Sequence, residues 1–142
     1  QGLFNYFEYS AASSWGAIDA IGEIIANAPD IFAGYIPALY QFLEDEMLRP
    51  NALRALGRIA QERPDLVRRV AFRVLPYLHT PDPETKGYTV WLLGNLGMPE
   101  AGKALAAVQD DSAEIGIYEG GEIARKTVGL LAAEALAKIE RP

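Results

Sequence analysis

Residues 15–65 contain the same helix twice, and this duplication constrains the fold more than any other feature of the chain. The stretch Trp15-Gly-Ala-Ile-Asp-Ala-Ile-Gly-Glu-Ile-Ile-Ala-Asn-Ala-Pro-Asp30 returns as Pro50-Asn-Ala-Leu-Arg-Ala-Leu-Gly-Arg-Ile-Ala-Gln-Glu-Arg-Pro-Asp65. Every matched position is offset by 35, from Ala17/Ala52 through Ile21/Leu56 and Gly22/Gly57 to Pro29/Pro64 and Asp30/Asp65. A third copy carries Val90, Leu93, Gly94 and Leu96, and a degenerate fourth runs from Ala133 to Ile139, with Ala137 in the glycine slot. Ile18, Ile21, Ile24 and Ile25 fall on one stripe of a helix. Pro29 and Pro64 are placed to end these helices, and Asp30 and Asp65 to cap second helices over Ile31–Glu44 and Leu66–His79. The second stripes are Ile36, Leu39, Tyr40 and Leu43, then Ala71, Val74, Leu75 and Leu78. Pro37 predicts a kink in the first of them and Pro76 an early end to the second.

A helix pair of this length cannot bury both stripes alone, so neighbouring pairs must stack. Asp82-Pro-Glu-Thr-Lys86 followed by Val90, Leu93-Gly94 and Leu96, and Arg49 with Ala52-Leu53-Arg54-Ala55-Leu56-Gly57-Arg58-Ile59, resemble the HEAT-like repeat. More narrowly, they resemble the variety named after the phycobilisome lyases. The resemblance covers residues 14–110 and 127–140 and implies an all-α solenoid, a superhelix of about three and a half helix pairs. Its motifs are packing positions, so they imply a fold far more firmly than a function. Gly22, Gly57 and Gly94 sit mid-helix, where glycine costs about 1 kcal/mol against alanine; close approach of a neighbouring helix accounts for them.

The chain reads as a single domain: 1–13 a half repeat or cap, 14–47, 48–82 and 83–111 three repeats, 112–126 a hairpin, and 127–142 a terminal helix. Gly120-Gly121 between Ile115, Ile117, Tyr118 and Ile123 is the hairpin signal, because a tight two-residue turn needs positive φ at both positions. Thr127 is then placed to cap the last helix. Residues 1–13 hold four aromatics and no partner helix. They resemble the second half of an earlier repeat, and three expectations stand: the chain is a processed or truncated portion of a longer repeat protein, the aromatic end docks on a partner or on a second copy, or the segment is a cap folded back on the first repeat.

Charge is segregated along the chain. Residues 1–46 hold seven acids and no Lys or Arg, whereas residues 49–73 hold seven arginines against Glu62 and Asp65. The 35-residue offset sets Asp19 against Arg54 and Glu23 against Arg58, which predicts cross-repeat ion pairs worth about 0–1 kcal/mol each. Arg69 and Arg73 align with Gly34 and Ala38, and Lys103 with Arg73, giving a candidate basic stripe on the second helices for an acidic partner, a carboxylate or a phosphate. The alternative for these three is plain solvated surface. Trp91 takes the outward slot held elsewhere by Asp19, Arg54 and Glu134. It is a partner contact or it is covered from within the chain, by the hairpin, and internal cover is the expectation.

Composition closes off most chemistry. With no cysteine and only His79, thiol catalysis, disulfides, Cys-type zinc sites and His-rich metal sites are excluded by count. A net charge of −6 opposes nucleic-acid binding. No apolar run approaches the ~20 residues of a membrane span, and no leader opens the residues given. The reading is a non-catalytic, cytoplasmic protein-binding module without a cofactor, a scaffold or adaptor whose partner contacts are Arg69, Arg73, Lys103 and Trp91. Two alternatives stand beside it. One is an enzyme accessory or chromophore-handling protein, with Tyr35, Tyr77, Tyr88 and Arg73 nearest to lining a pocket. The other is a self-associating structural module.

Overall fold

A computed structural model describes residues 11–140, with side chains from residue 16. The repeated segments become long helices: α1 (Ala11–Asn27), α4 (Arg49–Glu62), α6 (Pro83–Leu96) and α8 (Val128–Glu140). They pack in chain order, α1 on α4, α4 on α6 and α6 on α8. Burial of Ile18, Ile25, Leu53, Leu56, Ile59, Leu92, Leu93, Leu131 and Ala135 follows the sequence stripes. Ile24 departs from them: it is exposed.

The mid-helix glycines set the spacing of this layer. A Cβ on Gly22 would lie 2.8 Å from the Cβ of Ala55, and one on Gly94 2.7 Å from the Cβ of Ala135. At Gly57 the missing Cβ makes room for Trp91, whose Cε3 would be 2.5 Å away. The indole fills that slot, so Trp91 is only 9% exposed. A small cavity beside it is lined by Glu119 of the hairpin and by Leu131, Glu134 and Lys138 of α8.

The second arms depart from expectation. Ile31–Glu44 is not one helix but α2 (Pro29–Phe32), a 3₁₀ turn (Ala33–Tyr35) and α3 (Ile36–Phe42). Leu66–His79 is likewise divided into 3₁₀ turns over Pro64–Leu66 and Arg68–Val70, α5 (Ala71–Val74), and a 3₁₀ stretch over Leu75–His79. The third arm is a 3₁₀ turn (Pro99–Ala101) and α7 (Gly102–Ala106). Each proline opens a new segment rather than kinking an existing one. Pro29, Pro37, Pro64 and Pro76 all occupy a first-turn position, where the missing N–H has no partner to lose. Asp30 and Asp65 therefore fall inside first turns, not at caps, with Ala28 and Arg63 in the capping position. The arms still bury Leu39, Leu43, Val67, Val70, Val74, Leu78 and Leu105 against the long helices.

α6 has the firmest boundaries. The Asp82 carboxylate accepts from the Thr85 N–H at 3.0 Å, and Gly97 ends the helix in the left-handed region at φ 67°. The expected hairpin is present as β1 (Glu114–Glu119) and β2 (Glu122–Thr127), antiparallel, with Ile117 opposite Ala124 and Tyr118 opposite Ile123. Gly120 and Gly121 have φ of 56° and 84°. One face buries Ile115 and Ile117, and Ile115 packs over Gly87 of α6. The Thr127 hydroxyl accepts from the Leu130 N–H at 3.0 Å, capping α8 as expected.

Candidate functional site

Two surfaces concentrate the polar side chains. The first is the row along the long helices. The Arg54 Nε donates to Asp19 at 3.1 Å, and the Arg58 Nε donates to Glu23 at 2.9 Å, both across the 35-residue offset. Arg58 also reaches Glu62 one turn on, at 3.2 Å. The Arg54 Nη1 donates to the Tyr88 hydroxyl at 3.0 Å, and that hydroxyl donates to the Gly116 carbonyl at 2.9 Å. One chain of contacts thereby ties α1, α4, α6 and β1 together. Burial lowers the Arg54 pKa, but the hydrogen bond to Asp19 and the charges around it more than offset this, so the guanidinium stands above its ordinary value. Burial pushes the Tyr88 phenol up, and Arg54 beside it pulls the other way. Tyr88 is thus a neutral structural donor at neutral pH and is not poised as an acid or base. Both ends of the Asp19–Arg54 pair remain about one-third exposed. A double-mutant cycle of Asp19→Ala and Arg54→Ala, read by urea unfolding, is expected to give a coupling of about 0.5–1 kcal/mol that shrinks in high salt.

A second tie lies at the far side of the hairpin. Lys86 of α6 pairs with Asp111, whose carboxylate also accepts the Ala113 N–H at 2.9 Å. The Lys86 hydrogen bond, seconded by that N–H, holds the Asp111 carboxyl below the usual carboxylate range. A carboxyl depressed in the folded state adds stability above its unfolded pKa of about 3.9, and that stability is lost as pH falls through the folded value. Asp111→Asn is therefore expected to flatten the acid limb of the stability profile below about pH 4, relative to wild type, in denaturant titrations. An unchanged acid limb would remove Asp111 from the account.

The second surface is the outer face of the second arms, where the sequence placed its basic stripe. Arg73 is already engaged: it pairs with Glu44 and donates to the Tyr40 carbonyl at 2.9 Å. Glu44 lies 29 residues away, off the repeat offset, so the alignment gave no sign of it. Arg69 lies exposed in the second arm and Lys103 exposed in α7, each without an ion pair among the described residues. The alignment missed Phe72. It stands 62% exposed beside Arg69 and Arg73 in sequence, with Tyr35 60% and Ile31 75% exposed on the first arm. Its signal was present as a lone aromatic outside the Ala71/Val74/Leu78 stripe.

The residues nearest to a catalytic or chromophore pocket are held in separate settings. Tyr88 is buried under Arg54, and Tyr77 lies beneath the Arg49 guanidinium at 4.6 Å. Tyr35 is open to solvent, and Arg73 is bound to Glu44. A cleft of about 390 Å³ does exist between the loop before α4 and the start of α6, lined by Glu46, Met47, Arg49, Thr80, Asp82 and Glu84. Its chemistry is spent locally: Arg49 donates to the Leu43 carbonyl at 2.7 Å, and Asp82 caps α6. Among the described residues no group of side chains is arranged to hold a metal ion, and no helix is long and apolar enough to cross a membrane.

Neither a curated protein nor a solved structure matches the chain. A family model does match: the HEAT-like repeat, over residues 46–96, and it reaches the repeat in general rather than the lyase-named variety. Those residues span α4, the whole second arm and α6, and over them the chain is similar to the HEAT-like repeat.

Proposed function

We propose that this protein is a non-catalytic protein-binding module, a short α-solenoid of the scaffold or adaptor kind, working in the cytoplasm. What carries the reading is the division of labour between its two surfaces. The long helices spend their polar side chains on one another, in Asp19–Arg54, Glu23–Arg58 and Arg54–Tyr88. The second arms leave Ile31, Tyr35, Phe72, Arg69 and Lys103 open. Exposed aromatic and arginine side chains on a rigid support are the usual energetic centres of protein interfaces. Generic HEAT-like repeats serve protein–protein contact, which is the role this arrangement suits.

The test is affinity capture from a native extract with wild type, Tyr35→Asp and Phe72→Asp, each checked by thermal melting. Specific proteins recovered by wild type and lost with either variant support the reading. Identical recovery with both variants would move the contact away from the second arms. The chromophore-handling and self-association alternatives have no observation in their favour. The pocket candidates are dispersed, and the aromatic segment that would mediate self-association lies in residues 1–13, of which the first ten are outside the described residues.

A further inference from the structure

Of the seven arginines between residues 49 and 73, five are committed within the fold. Arg49 is held by the Leu43 carbonyl and Tyr77, Arg54 by Asp19, Arg58 by Glu23 and Glu62, Arg63 by Asp65, and Arg73 by Glu44. The two left over are consecutive. The side chains of Arg68 and Arg69 make no hydrogen bond or ion pair among the described residues. Arg68 acts on Asp65 through charge alone, because both of that carboxylate's oxygens accept from Arg63 at 3.0 Å.

The same turn holds its backbone fast. Val67, Val70 and Ala71 are at most 2% exposed, so both arginines and Phe72 project from an anchored segment. Phe72 follows Arg68 by four residues and Arg69 by three, and all three are exposed across the join of the 3₁₀ turn and α5. In a chain with six more acids than bases, an arginine pair without an ion-pair contact, three and four residues before an exposed phenyl ring, is an island of opposite charge. Planar guanidiniums take carboxylates through paired hydrogen bonds, and the ring supplies an apolar anchor between them.

We infer that the partner offers an acidic peptide segment, whose carboxylates meet Arg68 and Arg69 and whose apolar side chain lies on Phe72. This deepens the protein-binding reading and rests on it. Nucleic acid also carries anions, but the net charge of −6 repels a long polyanion, whereas a short peptide needs only the local patch.

The test is fluorescence anisotropy on the full chain with three labelled probes: a peptide of repeated Asp-Glu-Leu, its Lys-Lys-Leu counterpart, and a single-stranded oligonucleotide of matched charge. The expected result is binding of the acidic peptide alone, weakened about tenfold or more by Arg68→Glu/Arg69→Glu and by raised salt, and also weakened by Phe72→Ser. All these positions are exposed, so unchanged thermal melts are expected to accompany the loss. Acidic-peptide affinity unmoved by the double arginine variant overturns the inference, as does equal or tighter binding of either other probe. If that happens while capture from extract still depends on Phe72, the binding-module reading stands and only the acidic chemistry falls. If wild type captures no specific protein at all, both fall.

Discussion

Trp91→Ala is expected to lower the stability of this protein by about 3–5 kcal/mol in a urea titration, the range for removing a large buried aromatic. The indole is 9% exposed and occupies the slot opened by the absent side chain of Gly57, between α4 and α6. Neither neighbour can close the gap. Gly57 has no side chain to swing in, and α4 and α6 are tied to each other by Arg54–Tyr88 and by the Asn95 amide donating to the Gly57 carbonyl at 3.1 Å. In a variant with Trp15 replaced by Phe, Trp91 emission is expected to be blue-shifted and poorly quenched by acrylamide. A loss under about 1 kcal/mol, or free quenching, would contradict this packing. The size of the effect bears on binding experiments too. Loss of a partner in Trp91→Ala would report a loosened fold, so contact is better probed at Phe72.

The second large effect is at Gly129. A Cβ there would lie 2.2 Å from the Gln109 carbonyl oxygen and 3.0 Å from that of Asp111, which accepts the Gly129 N–H at 2.9 Å. These are backbone atoms and cannot rotate aside. The start of α8 or the segment before the hairpin must shift, breaking the Gly129–Asp111 bond and the adjacent Val128–Ala113 bond at 2.8 Å. Gly129→Ala is expected to cost about 1–3 kcal/mol, even after alanine's better helix propensity is counted. Gly102→Ala is the control. Gly102 has right-handed helical geometry, and a Cβ there meets nothing within 4 Å, so this variant is expected to gain about 0.4–1 kcal/mol. A stability for Gly129→Ala equal to that of Gly102→Ala would refute the clash.

The long helices were legible because their packing is periodic. A residue that must meet its counterpart one repeat away leaves the same mark 35 positions on, and Asp19–Arg54 and Glu23–Arg58 carry it, as does the spacing of Gly22 and Gly57. The second arms were not, because they need to bury only one side and can do so from short turns. Pro29 both follows the end of α1 at Asn27, as read, and opens α2, whereas Pro37 reads equally well as a kink or as a first-turn residue, and the structure has the latter. The same reason hid Arg73–Glu44 and Tyr88–Gly116, since neither spacing repeats. Of the candidate contacts, Arg69 and Lys103 are exposed, Arg73 is tied down and Trp91 is inside. Phe72 entered only once the arm's buried side was known.

The row Asp19, Arg54, Trp91, Glu134 along the long helices also determines how such a protein could grow. Its units are not interchangeable bricks. A tandem duplication of residues 48–82 would set one Arg54 beside another, and one Arg58 beside another, where each now meets an acid on the preceding helix. An inserted copy of residues 14–47 between them would restore alternation. Lengthening by gene duplication is therefore tolerated in pairs and penalised singly, and the order of the copies is written in their charge.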